Sequence, residues 1–139
     1  MIYKKMGSSW VIRIDKGEEI LTSLKAICEK NDIKAGFLSA IGAADKVKVG
    51  LFDTNTKTYH SEVLTGDFEI TNLSGNVSRK DGEVYIHLHI TLCDDKYNAR
   101  GGHLNEAWIS GTCEMILTEV NGEIGRRFDE EAGLNLFEL

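Results

Sequence analysis

The chain has 139 residues, of which 42% are hydrophobic and 27% charged, and this composition is typical of one globular domain spanning residues 1–139. Its formal net charge is −6 and its basic residues are scattered along the chain, which argues against a phosphate backbone as a partner. Three cysteines without C-x-x-C spacing, and no apolar stretch near the ~20 residues of a membrane span, predict a soluble cytoplasmic protein without a disulfide framework.

The first two predicted elements are a strand and a helix. Residues Ser9 to Ile14 alternate polar and apolar side chains as a strand does, with the apolar ones on one face. Those apolar residues are Trp10, Ile12 and Ile14. From Glu18 to Lys30 apolar residues recur at helical spacing, which predicts the clearest helix of the chain. We expect Asp15 or the turn after it to cap this helix, and Asn31 and Asp32 to end it.

Almost all of the chain after the helix has the pattern of β-strands. The candidate strands are Phe37–Ile41, Lys46–Phe52, Tyr59–Leu64, Phe68–Val77, Val84–Cys93 and Ala107–Val120. Turn signals lie between or after them at Asp53–Asn55, Gly66–Asp67, Lys80–Gly82 and Asn121–Gly122. One helix followed by a run of hairpin-linked strands predicts an α+β domain, with a mostly antiparallel sheet and one principal helix packed on it.

The last residues, Arg126 to Leu139, do not show a clear periodicity. They mix acidic side chains with the apolar residues Leu134, Leu136, Phe137 and Leu139. An exposed apolar tail would be costly, so we expect this segment to dock on the body of the protein or on a neighbouring subunit.

The candidate strand Val84–Leu92 carries two histidines on one face. Its apolar residues alternate along the strand and form an unbroken face that must look into the core. His87 and His89 therefore point the other way, together, at about 6.6 Å along the strand. Imidazoles at this spacing can bind one ion, at about 2.0–2.1 Å each. A third ligand is available at His103, which we expect the Gly101–Gly102 pair to place on a turn close to the sheet surface.

The alternative interpretation is that these are surface histidines. H-x-H alone is a weak signal, and it can leave His87 and His89 on a wet strand face with His103 in a surface loop. However, three of the four histidines fall within 17 positions, and the third follows two glycines, which favours a divalent-metal site. His60, the fourth histidine, lies in a separate candidate strand and is predicted to be a surface residue.

Three carboxylates could act as a general base beside a metal. They are Glu69, Glu106 and Glu114, and Glu106 is the first choice because it follows His103 by only three residues. Arg100 could orient an anionic ligand over the metal. The alternative for each carboxylate is a solvated or interface position, and for Arg100 a surface charge. No Ser-His-Asp or Cys-His nucleophile has local support in the sequence.

Several motifs resemble one family, the plants-and-prokaryotes conserved (PPC) domain. The segment Gly66–Val77 resembles the family's G-x-F-E-I-L-S-L-S-G element, and His87–His89 and Gly101–Leu104 match the H-x-H and G-G-H-L elements of its prokaryotic members. The segments Gly36–Ala43 and Thr112–Met115 also fit. The resemblance extends from about residue 3 to residue 120, and the motifs are specific in combination although none is specific alone.

The resemblance implies an α+β fold with an antiparallel sheet, and a homotrimer built through that sheet. It also implies a divalent metal, zinc, bound by His87, His89 and His103. Three histidines leave a fourth tetrahedral position for water or a small ligand, which is the pattern of an open zinc site. Zinc-bound water can ionise near neutral pH, so hydrolytic or lyase chemistry is physically possible there.

Three functions remain open from the sequence. The first, which we favour, is a metal-binding trimeric module that binds a small ligand or another protein and is not an enzyme. The second is a DNA-associated regulator, as the family is often labelled, although the proline-flanked Arg-Gly-Arg hook of its plant members is absent and proline does not occur in the chain. The third is a small zinc hydrolase or lyase assisted by Glu106 or Glu69.

Overall fold

The computed structural model describes all residues 1–139, which form eight β-strands and one α-helix. In chain order these elements are β1 (Ile2–Met6), β2 (Ser9–Asp15), α1 (Ile20–Lys30), β3 (Gly36–Asp53), β4 (Thr58–Lys80), β5 (Glu83–Cys93), β6 (Ala99–Glu119), β7 (Gly125–Asp129) and β8 (Leu134–Glu138). The predicted antiparallel sheet with one helix is confirmed, and the architecture is compatible with the α+β class.

The main sheet has six strands in the order β1-β2-β6-β3-β4-β5, and all its neighbouring strands are antiparallel. The first residues of β6 also pair with the end of β5, so that strands β3 to β6 form a closed ring at this end of the sheet. The strand ring brings together residues that are distant in sequence, and it determines where the histidines lie.

The helix begins slightly later than predicted and has a different cap. Glu19 is the N-cap residue, and its carboxylate accepts hydrogen bonds from two backbone N–H groups of the first turn, at 3.0 and 2.7 Å. The prediction that Asp15 caps the helix was wrong, because the Asp15 backbone N–H donates to the Glu18 carboxylate and so belongs to the preceding turn. Glu19 also accepts a bond from the Ala107 backbone N–H (3.0 Å), which attaches the helix to β6.

Long strands replace several of the shorter ones that the sequence predicted. Phe37–Ile41 and Lys46–Phe52 are both parts of β3, and the two candidate strands after them are both parts of β4. The predicted turn at Gly66–Asp67 was wrong, because these residues lie inside strand β4. The pairing with β3 shifts between Ala44 and Lys46, so that Gly66 and Asp67 lie opposite a single residue of β3 and form a β-bulge. Gly66 has a φ of +138° in this bulge, a conformation that favours glycine. Glycine therefore suits the bulge as well as it would have suited a turn.

The core lies between the helix and the inner face of the sheet. The buried residues of β2 are the three predicted ones, Trp10, Ile12 and Ile14, and the helix buries Ile20, Leu24, Ile27 and Cys28. In β5 the alternate residues Leu88, Ile90 and Leu92 are fully enclosed, while Val84 and Ile86 pack against the same cluster. The opposite face of β5, with its histidines, therefore looks away from the core.

No helix of this chain has the length and apolar character that a membrane crossing requires.

The three cysteines are free thiols, as expected from their spacing. Cys28 and Cys113 are buried, and burial raises the pKa of each thiol to about 12. Because the thiolate is the reactive form, these two side chains act as small apolar residues of the core.

The C-terminal segment forms a hairpin of β7 and β8 that docks on the body of the same chain. The Arg79 backbone N–H donates to the Ile124 carbonyl (2.8 Å) just before β7 begins. Arg126, the second residue of β7, is buried and bonds the Ser78 hydroxyl and the Asn76 amide oxygen of β4, each at 2.7 Å. The first of the two predicted docking alternatives, the body of the protein, is therefore confirmed.

Candidate metal centre

Three histidines meet where β5 pairs with the beginning of β6. His89 lies directly opposite His103 in this pairing, and His87 is two residues further along the same face of β5. His103 also pairs with Gly50 of β3, so the cluster lies where three strands of the ring converge. The fourth histidine, His60, is exposed and outside this cluster, as predicted.

The Gly101–Gly102 pair is part of strand β6, and the prediction of a turn at this point was wrong. A Cβ atom on Gly101 would lie 2.1 Å from the Ile90 carbonyl oxygen, and one on Gly102 would lie 2.7 Å from the Gly50 carbonyl oxygen. The two glycines therefore let β6 pass closely between the backbones of β5 and β3. The glycines serve the close approach of backbones within a strand, and the pairing of that strand carries His103 to the cluster.

The ring nitrogens of the cluster are close enough together to serve as ligands of a single ion. His87 Nε2 and His89 Nε2 are 3.2 Å apart, and one nitrogen from each of the three rings lies within 4.8 Å of the others. Tetrahedral zinc with bonds of about 2.0–2.1 Å has ligand–ligand separations of about 3.3–3.4 Å. The His87 and His89 nitrogens already have about this spacing. A modest rotation of the His103 side chain would bring its nitrogen to the same distance from them. The donor set therefore fits a divalent transition metal.

The surroundings of the cluster favour uncharged imidazoles. Burial, followed in order of importance by positive charge on His103, His89 and Arg126, lowers the pKa of His87 to about 4. Burial and then His89 also lower the pKa of His103. Neutral imidazole is the form that binds metal, so these groups are ready to coordinate an ion near neutral pH without first losing a proton.

In the metal-free protein we expect His87 to remain neutral until the pH falls to about 4, as followed by NMR titration of its imidazole. Because its pKa is lower in the folded than in the unfolded chain, its contribution to stability is present above the ordinary value of 6.5 and is lost as the pH falls toward 4. The substitution His103→Asn removes one positive charge that disfavours protonation of His87, so it should raise the pKa of His87. A native His87 that titrates at the ordinary value would contradict this explanation.

A cavity of about 730 Å³ opens above the histidines, between the outer face of the sheet and the C-terminal hairpin. It is lined by Gly50, Leu51, Phe52, Tyr59, Asn76, Tyr85, His87, His89, Gly102, His103, Arg126, Leu134, Asn135, Leu136 and Phe137. No acidic side chain is among them. This volume falls within the range of about 300–1,000 Å³ of small-molecule sites, so the histidines face a space that can hold an organic ligand.

Tyr59 holds one side of the cluster in position. Its ring packs edge-on against that of His103, with 6.2 Å between the ring centroids, and its hydroxyl donates to the Asn105 side-chain oxygen (2.7 Å). The tyrosine ring lies over Gly50, where a Cβ atom would be 1.9 Å from the tyrosine oxygen. Gly50 therefore provides the room for Tyr59 beside the metal ligands.

The model of the Plants and Prokaryotes Conserved (PCC) domain matches residues 1–121. The chain belongs to this family. It is the family that the H-x-H and G-G-H-L elements resemble, so the relationship drawn from the motifs is confirmed.

Solved structures of several other proteins share the fold over nearly the whole chain. A candidate DNA-binding protein from Bacteroides thetaiotaomicron is 34% identical, with a TM-score of 0.96 over 99% of this chain and 96% of that one. A metal-containing protein from Archaeoglobus fulgidus is 33% identical, with a TM-score of 0.89 over 100% of this chain and 99% of that one. A plant- and prokaryote-conserved protein from Pyrococcus horikoshii is 34% identical, with a TM-score of 0.89 over 99% and 95% of the two chains.

One curated relative is much longer than this PCC protein. The bifunctional protein GlmU of a Synechococcus strain is 32% identical over 110 residues, which are 78% of this chain but only 16% of the relative. The similarity therefore concerns a small part of that protein.

The other residues that the sequence singled out lie outside the cavity of this PCC protein. Glu106 accepts hydrogen bonds from Trp108 Nε1 and from Lys46 Nζ (3.1 Å), and these two bonds lower the pKa of Glu106. Glu69 and Glu114 are exposed on β4 and β6 and do not line the cavity. Arg100 lines a neighbouring shallow depression that shares His89 and Gly102 with the cavity.

Sequence reasoning missed the residues that complete the cavity. The most important is Arg126, which lies beyond the part of the chain that the family model matches. The only signal was the apolar character of the tail, which predicted docking but did not point to Arg126 itself. Asn76 and Tyr85 carried no such signal, since polar and aromatic residues are common on the outer face of a sheet.

Proposed function

We propose that this PCC protein is a metal-dependent ligand-binding module, in which His87, His89 and His103 hold one zinc ion at the base of the cavity. The observation that carries the proposal is the convergence of three imidazole nitrogens to within 4.8 Å of one another. The lowered pKa values of His87 and His103 support it, as does the similarity to a metal-containing protein of the same fold. Three ligands leave one tetrahedral position open toward the cavity, and zinc there would polarise a ligand atom as a Lewis acid.

The lining of the cavity favours binding over catalysis. A general base must lie within about 2.6–3.2 Å of the proton it removes, directly or through one water. No carboxylate lines the cavity, and the first candidate, Glu106, is held by Trp108 and Lys46. We therefore favour a module that binds a ligand without converting it over the hydrolase or lyase alternative.

Elemental analysis of the purified protein tests the proposal directly. We expect about one zinc ion per chain, and we expect metal-stripped protein to recover one equivalent on titration with zinc. A protein that carries no metal and takes up none would overturn the proposed function.

The label of DNA binding on some proteins of this fold does not lead us to propose that activity here. This chain has a net charge of −6 and lacks an Arg-Gly-Arg segment. Its two most prominent cationic groups near the cavity, Arg100 and Arg126, are separate, and Arg126 lies inside the cavity and not on an exposed face that a duplex could reach. A phosphate backbone requires clustered and accessible positive charge.

We also propose that the protein assembles as a homotrimer through the outer face of the sheet. Four apolar residues on this face are between 40% and 60% exposed, namely Val11, Phe37, Ile41 and Ile116. They are contiguous, because Ile116 pairs with Val11 on one side and with Ser39, between Phe37 and Ile41, on the other. Contiguous apolar surface of this kind is typical of an interface.

Sedimentation analysis tests the assembly. We expect a particle of three 15.5 kDa chains, and we expect Ile116→Lys to shift the population toward monomers because it places a charge at the centre of the apolar face. The control is Tyr97→Lys, since Tyr97 is 88% exposed in the turn between β5 and β6. A native protein that sediments as a monomer would contradict the proposal.

A further inference from the structure

Arg126 is a buried cation with an unusual set of partners. Its side chain is only 8% exposed, and its three nitrogens donate to Ser78 Oγ, Asn76 Oδ1 and the Asn135 carbonyl oxygen, each at 2.7 Å. All three partners are uncharged. Guanidinium has five N–H donors, so these three bonds leave two donors without a protein partner.

Two aromatic rings fix the orientation of this guanidinium. Its central carbon lies 4.6 Å from the ring centroid of Tyr85 and 4.5 Å from that of Phe137. Cation–π contacts of this kind favour arginine over a neutral side chain and leave the edge of the group available for hydrogen bonds. Arg126, Tyr85 and Phe137 all line the cavity above the histidines.

The positive charge of Arg126 has no counterion in the chain. No carboxylate lies within 4.0 Å of it, and none lines the cavity. Burial lowers the pKa of Arg126, but a guanidinium remains charged at neutral pH. Buried charges in proteins are normally paired, because an isolated one loses much of its hydration. A cationic cavity in a protein of net charge −6 is therefore suited to an anion from solution.

A second part of the cavity wall is apolar and exposed. Leu51, Phe52, Leu134 and Leu136 line it, and Leu51 and Leu136 are 65% and 41% exposed. Large apolar side chains exposed together inside a concave site indicate contact with an apolar part of a ligand. The cavity thus has two recognition elements, one cationic and one hydrophobic.

We propose that the cavity binds a small organic carboxylate with an apolar body, whose carboxylate pairs with Arg126 while its body packs on the leucines of β3 and β8. The inference deepens the proposed function by giving the chemical class of the ligand at that site. The pairing with Arg126 itself requires no metal, so the two can be tested separately.

The first test uses the native protein and two probes of equal shape, 3-phenylpropionate and 3-phenylpropionamide. We expect the carboxylate to bind about tenfold or more tightly than the amide, because a charge-assisted hydrogen bond to arginine is stronger than a neutral one. NMR signals of β7 and β8 should shift on binding. Equal affinity for the two probes, or shifts that do not include this hairpin, would overturn the inference.

The same titration on zinc-loaded and on EDTA-treated protein separates this inference from the proposed function. Preference for the carboxylate in both samples supports the role of Arg126, even if the protein is found to hold no zinc. Zinc binding together with equal affinity for acid and amide would leave the metal site in place and overturn the ligand class.

Arg126→Gln and Arg127→Gln provide matched variants. Arg127 is the exposed neighbour on β7, so its substitution should leave the preference unchanged. Arg126→Gln should reduce the preference for the carboxylate to less than about threefold, since it removes the charge but keeps hydrogen-bonding capacity. An undiminished preference in a folded Arg126→Gln protein would overturn the inference. If that variant does not fold, the comparison of acid and amide in the native protein decides.

Discussion

Substitution of His103 by alanine is expected to abolish stable metal binding and to leave the protein folded. The change removes one of three converging nitrogens, and two histidines of one strand remain. Loss of a supporting group outside the ligand set of a metal commonly weakens binding by about 10–100-fold, so loss of a ligand should weaken it by more than about 100-fold. Zinc content after dialysis, together with competition against a chelator, measures the effect.

The chain offers its own control for this experiment. His60 is the one histidine outside the cluster and is exposed, so His60→Ala should retain the full metal content. Circular dichroism and a melting curve should show that His103→Ala remains folded, because the side chain is half-buried and lies on the outer face of the sheet. If both variants hold the same amount of zinc as the native protein, the metal lies elsewhere in the molecule.

Substitution of Gly101 by alanine is expected to lower the free energy of unfolding by about 3 kcal/mol or more, at the upper end of the range for overpacked sites. A Cβ atom at this position would lie 2.1 Å from the Ile90 carbonyl oxygen, and a backbone atom cannot move aside as a flexible side chain can. The pairing of β6 with β5 would have to open, and that pairing holds His103 against His89. Loss of stability in urea and loss of zinc should therefore occur together.

Gly111→Ala is the matched control, because Gly111 lies in the same strand. A Cβ atom there would be 3.5 Å from the Ala43 side chain, which is an ordinary contact. We expect a change in unfolding free energy within about 0.5 kcal/mol, as is usual for surface positions, and unchanged zinc content. A Gly101→Ala protein as stable as Gly111→Ala would show that strand β6 does not lie between its two neighbours as described.

The sequence by itself determined much of the fold and part of the candidate site. The alternating apolar residues of β2 and β5 indicated which faces enter the core, since strand periodicity is a local property of the chain. The same alternation placed His87 and His89 together on the outer face. The helical spacing of apolar residues predicted the single helix, but not its cap, because the choice of Glu19 over Asp15 depends on where the chain turns before the helix.

Only the tertiary structure decided how distant segments meet. The position of His103 depends on the pairing of β6 with both β5 and β3, and a register between strands cannot be read from either strand alone. The bulge at Gly66 has the same cause, because glycine serves a turn and a bulge equally well and the partner strand selects between them. Arg126 approaches the histidines from the far end of the chain. It does so through the contact of β7 with β4, and nothing in the sequence of either strand indicates that contact. Local patterns specify faces and periods, whereas the cavity is made by long-range pairing, which no local pattern encodes.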